Sequence, residues 1–104
     1  MRIPRSFTFK GQLWKVRSKR GLTNDEGESL YGLADFSSRT IWLAYGMKPN
    51  VKLNTFFHEL FHVIEEELHI RQTLPAGISE VWADGFAQFA EQNWSVTWKR
   101  KRRG

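Results

Sequence analysis

The chain has 104 residues, 40% of them hydrophobic and 14% aromatic, a length and apolar content that fit one globular domain and exclude wholesale disorder. It contains no Cys, so disulfides and thiolate metal sites are excluded and any metal must use His and carboxylate ligands. The +5 net charge belongs to the ends: residues 1 to 20 carry seven Lys/Arg and no acid, residues 99 to 103 read "KRKRR", and all eleven acidic residues lie between.

The opening "MRIPRSFTFK" lacks the apolar run of a signal peptide, and no stretch is apolar enough to span a bilayer. The expectation is a cytoplasmic protein with no membrane partner. "SFTFKGQLWKVRS" alternates apolar and polar residues around Gly11 and reads as one bent strand or a tight hairpin. Lys19 to Ser29 form a polar loop. "LYGLADF" and "RTIWLAY" are β-rich runs parted by two serines, which predicts a second hairpin. "GMKPN" then breaks the strand region, with Pro49 closing it.

A helix is expected from Asn50 or Val51 to about Leu68, with Leu53, Phe57, Leu60, Phe61, Ile64 and Leu68 recurring at helical spacing. A connector with Pro75 and Gly77 leads to a second helix, capped near Ser79 and running to about Asn93. Its apolar set is Ile78, Val81, Trp82, Gly85, Phe86 and Phe89. Strands followed by two helices predict an α+β domain, a small antiparallel β-sheet packed on a helical layer, over residues 1–98. Residues 99–104 are expected to form a basic tail, solvated and poorly ordered.

The first helix carries "HELFH", His58 to His62. Residues i and i+4 of a helix lie ~40° apart and one turn on, so the two imidazoles point the same way and can share a tetrahedral Zn²⁺. Glu59, on the edge of that face, can reach a water on the metal. A third protein ligand is needed. Glu65 and His69 share the face, but Glu65 lies ~10 Å along the axis from His58 and His69 further still, too far for one ion to touch all three. The second helix supplies candidates in "SEVWADGFAQFA": Glu80, Ala83, Asp84 and Ala87 share one face, and the two alanines let it approach another helix closely. Glu80 is the expected third ligand, and Asp84 the expected acceptor for the free N–H of a ligand imidazole.

"HELFH" followed by "EVWADGFA" resembles the gluzincin zinc peptidases. More narrowly it is similar to the ImmA/IrrE-type metallopeptidases of bacteria and phages and to minimal single-domain gluzincins, over roughly Tyr31 to Gln92. The resemblance implies a zincin-like domain with zinc held by His58, His62 and Glu80, and Glu59 as general base and acid. It implies hydrolysis of a protein or peptide substrate, often a transcriptional repressor, and latency where a C-terminal segment such as 94–104 fills the cleft. "RTIWL" is the expected edge strand for an extended substrate, with Arg39, Thr40 and Ile41 as contacts. Tyr45, Arg39 and His69 are the candidate oxyanion donors, none singled out. A different class is a zinc protein without peptidase activity, regulatory or in contact with nucleic acid through its basic ends. There Trp14 among Lys10, Lys15 and Arg17, and Trp94 and Trp98 beside the tail, would supply stacking and phosphate contacts.

Overall fold

The computed structural model describes residues 2–68 and 76–103, with side chains over 2–68 and 77–90. Four strands precede two helices: β1 (Ser6–Phe9), β2 (Gln12–Lys19), β3 (Gly32–Asp35), β4 (Thr40–Ala44), α1 (Pro49–Glu67) and α2 (Ala76–Arg103). The domain is α+β. No helix among the described residues is long and apolar enough to cross a membrane.

Both expected hairpins form. β1 and β2 pair antiparallel with Phe9 opposite Gln12, so Lys10 and Gly11 make a two-residue loop. Both take positive φ, 52° and 77°, as the primed hairpin turns require. β3 and β4 pair antiparallel across a four-residue turn, where the Asp35 carboxylate accepts hydrogen bonds from the Ser37 N–H and hydroxyl at 3.1 and 2.7 Å.

The sheet is nevertheless mixed, not antiparallel. Its order is β1-β2-β4-β3, and β4 runs parallel to β2 with Arg17 opposite Trp42. The excursion from Arg20 to Arg39 brings the chain back to the starting end of β2, so β4 enters in the same direction. Hairpin signals specify neighbours within each hairpin and say nothing of which strand of the second docks on the first. A consequence is that "RTIWL" is an interior strand. Thr40 and Ile41 are buried, and the sheet edges are β1 and β3.

One sheet face is the core face. Trp14, Ile41 and Leu43 meet Leu53, Phe56, Phe57 and Val63 of α1, and Ala87 and Ala90 of α2 close the cluster. Trp14 is fully enclosed, stacked on Phe7 and edge-on to Phe36, so it is a core residue and no stacking platform. Phe56 and Phe57 are each at most 1% exposed, and burial of such a ring contributes roughly 2–3 kcal/mol.

The helices differ from expectation in informative ways. Pro49 begins α1 as its first helical residue, a position where the missing N–H costs nothing. The buried stripe of α1 includes Phe56 and Val63, whereas Leu68 is half exposed. On α2 the large apolar residues Ile78, Val81, Trp82 and Phe89 face outward, and the buried side is Ser79, Ala83, Ala87 and Ala90. Ser79 is thus inside the helix, not its cap. Residues 99–103, expected as a tail, continue α2.

Candidate metal centre

α1 and α2 pack directly on each other. The contact side of α2 is built from alanines, 0% exposed at 83, 87 and 90, so the axes approach closely and the short acidic side chains beside them reach across. Glu80 arrives over the two histidines. His62 Nε2 lies 3.2 Å from His58 Nε2 and 3.2 Å from Glu80 Oε2, and His58 Nε2 lies 3.4 Å from Glu80 Oε1. Donor atoms at ~2.1 Å from a tetrahedral ion stand ~3.4 Å apart; the two imidazole nitrogens come within that distance, the two Glu80 contacts are made by different oxygens, and one donor atom from each of the three residues lies within 4.8 Å of the others. His58, His62 and Glu80 form a group that could hold a metal ion.

The far side of each ring explains why the near side is available. His58 Nδ1 is 2.9 Å from Asp84 Oδ1, and His62 Nδ1 is 2.9 Å from Glu65 Oε1. Carboxylates only accept, so each Nδ1–H donates outward, and in its neutral form each ring carries a lone pair on Nε2. Two such lone pairs and a carboxylate then converge on one point. Without a cation or a shared proton between them these acceptors repel; with a divalent ion they become three ligands. Asp84, expected from the sequence as an acceptor for an imidazole N–H, lies at hydrogen-bond distance from His58 Nδ1.

Glu65 was set aside as a ligand because of its distance from His58, and it is no ligand here. It is 1% exposed, and its second oxygen accepts a hydrogen bond from Ser79 Oγ at 2.6 Å. A His with Glu three residues on is the signal that could have found this role, since i and i+3 are neighbours on a helix.

Glu59 lies beside the group, on the side of β3. Its carboxyl accepts the backbone N–H of Ala34 and is pushed up to about 7, chiefly by burial and secondarily by the Glu80 charge; His58 opposes the shift. β3 lies tightly on α1 at this point. A Cβ built on Gly32 would stand 2.6 Å from Thr55 Cγ2 and 3.0 Å from Glu59 Cγ, so glycine is needed for the approach. Tyr31, Gly32, Asn54, Thr55, His58, Glu59 and Asp84 line a cleft of about 270 Å³.

Arg39, Thr40 and Ile41 do not reach this cleft. Arg39 sits in the β3–β4 turn at φ 50°, and the other two are enclosed in the interior strand. The Tyr45 ring is taken up by Arg20, whose guanidinium lies 3.9 Å from its centroid. His69 lies outside the described residues, as do the side chains of residues 91–104. Residue 94 is ~21 Å along α2 from Glu80 by helix rise, so a continuous α2 carries the segment expected to plug the cleft away from it. Sequence reading missed Tyr31, which is 70% exposed at the cleft rim. Comparison with protein-family models, with curated proteins and with solved structures finds no match to this chain.

Proposed function

We propose that this chain is a zinc-dependent metallopeptidase with His58, His62 and Glu80 as ligands and Glu59 as general base and acid. The observation that carries the reading is the pairing of both Nδ1 atoms with carboxylates, which leaves both Nε2 atoms and Glu80 directed at one point. Three nitrogen and oxygen donors gathered at one point among the described residues suit a catalytic zinc, which takes three protein ligands.

Bound there, zinc supplies a Lewis acid that brings the pKa of a water to ~7 and polarises a carbonyl. The rest falls to the chain. Glu59, on the cleft wall beside the group, takes a proton on a carboxylate oxygen from the attacking water and returns it to the leaving amine. Asp84 and Glu65 hold the ligand rings in one orientation through their Nδ1–H groups. The substrate-aligning strand is β3 instead of β4: it is a sheet edge, it borders the cleft through Gly32, and an extended peptide can add to it. Tyr31, on the same rim, has a hydroxyl suited to a developing oxyanion.

The test is hydrolysis of a denatured protein and of a quenched-fluorescence peptide library by zinc-loaded protein. Cleavage lost in Glu59→Gln with zinc content retained supports the reading. Zinc binding with no hydrolysis of any substrate in either protein would favour a regulatory zinc protein.

A further inference from the structure

The sheet face turned away from the helices is a second surface with its own chemistry. Register places Leu13, Lys15, Arg17 and Lys19 of β2 on it, alongside Trp42 of β4 and Leu33 of β3, because Trp14, Val16, Ile41 and Leu43 take the core face. Lys15, Arg17 and Lys19 are exposed. They span ~13 Å along β2 at strand rise. Trp42, opposite Arg17, stays partly open to solvent, with the Lys19 ammonium 5.5 Å from its ring centroid. One residue beyond the strand ends Arg20 lies over the exposed Tyr45 ring, a second cation–aromatic pair. Among the described residues the acid of this face is Asp35, at its far strand, where its carboxylate is bound to Ser37.

We infer that this face binds single-stranded nucleic acid. A row of cations tracks a phosphate backbone, while a flat ring set among them stacks a base of any sequence. An acidic polypeptide would satisfy the cations but has no use for the Trp42 platform. A duplex presents its bases stacked inside and denies Trp42 a partner. The inference does not rest on the metal reading, since the metal group lies between the helices on the opposite side of the sheet.

The experiment is fluorescence anisotropy of the full chain with labelled oligo(dT), oligo(U), a duplex and polyglutamate over a salt series. Expected is binding of both single strands, weaker binding of the duplex and of polyglutamate, and a log–log salt slope of about −2 for three phosphate contacts. DNA favoured over RNA, or the reverse, distinguishes which strand is the ligand. Lys15→Gln with Arg17→Gln should flatten the slope, and Trp42→Ala should weaken single-strand binding at least fivefold. Trp42→Phe, which keeps a ring for both fold and stacking, should restore most of it. His58→Ala should leave binding unchanged. Polyglutamate bound as tightly as oligo(dT), indifference to Trp42→Ala in a folded variant, or binding that survives the β2 variants and disappears with Arg102→Gln and Arg103→Gln would each overturn the inference.

Discussion

Ser79 and Glu65 meet across the α1–α2 interface, the serine hydroxyl donating to Glu65 Oε2 at 2.6 Å while the other oxygen of the same carboxylate accepts from His62. Helix docking and ring orientation are therefore one event. Glu65→Gln keeps the shape but weakens the acceptor at His62 Nδ1, and metal affinity should fall roughly 10- to 100-fold. Ser79→Ala leaves a buried carboxylate short of a donor and should destabilise the fold by about 1–3 kcal/mol. Chelator competition and denaturant unfolding measure the two effects separately.

Ala83 sets the helix separation. Its side chain is fully enclosed beside Glu80 and Asp84. Ala83→Leu must push α2 away from α1, at an expected cost of about 1–3 kcal/mol. The shift also withdraws Glu80 and Asp84 from the histidines, so zinc affinity should drop with all ligands present. Trp82→Ala, on the exposed side of α2, is the matched control and should leave affinity unchanged.

The pH dependence of the metal-free protein has a definite sign. Glu59 rises from an ordinary 4.5 to about 7 on folding, so between those values the folded state binds more protons than the unfolded one. The contribution is fully present below pH 4.5 and is lost as pH rises through 7. The ceiling is roughly 3 kcal/mol, lowered by partial solvent access. Glu59→Gln should be free of this decline, and the difference between the two stability–pH curves, by urea unfolding, isolates it.

Gly32 lets the edge strand lie against Thr55 and Glu59. Gly32→Ala puts a methyl group against Thr55 and the stem of Glu59, so β3 must lift. Zinc affinity, set between α1 and α2, should hold within a fewfold, while peptide hydrolysis should fall at least tenfold. Parallel zinc titration and peptidase assay check this separation.

Much of this was legible before any coordinates. Alternation around Gly11 and the paired β-rich runs gave the strands, and the spacing of His58 and His62 gave two members of the cluster that could hold a metal ion. The alanines at 83 and 87 marked the close-packing side of α2, which brought Glu80 and Asp84 within reach. Other features depend on long-range choices that local pattern does not encode. β4 slots between β2 and β3, so Thr40 and Ile41 lie in an interior strand and the sheet edge on that side is β3. α2 buries its alanines and exposes Trp82 and Phe89, against the ranking of hydrophobicity, because the contact needs proximity more than bulk. Trp14 and Trp42 are similar in sequence context, and only strand register sends one inward and the other outward.

Two helices bring two imidazoles and one carboxylate together as a group that could hold one ion. The direct measurement is zinc stoichiometry and affinity of wild type beside Glu80→Ala, by chelator competition on metal-stripped protein. One zinc per chain in wild type, with affinity reduced at least 100-fold in the variant, is the predicted result. Equal stoichiometric binding by both proteins would contradict it.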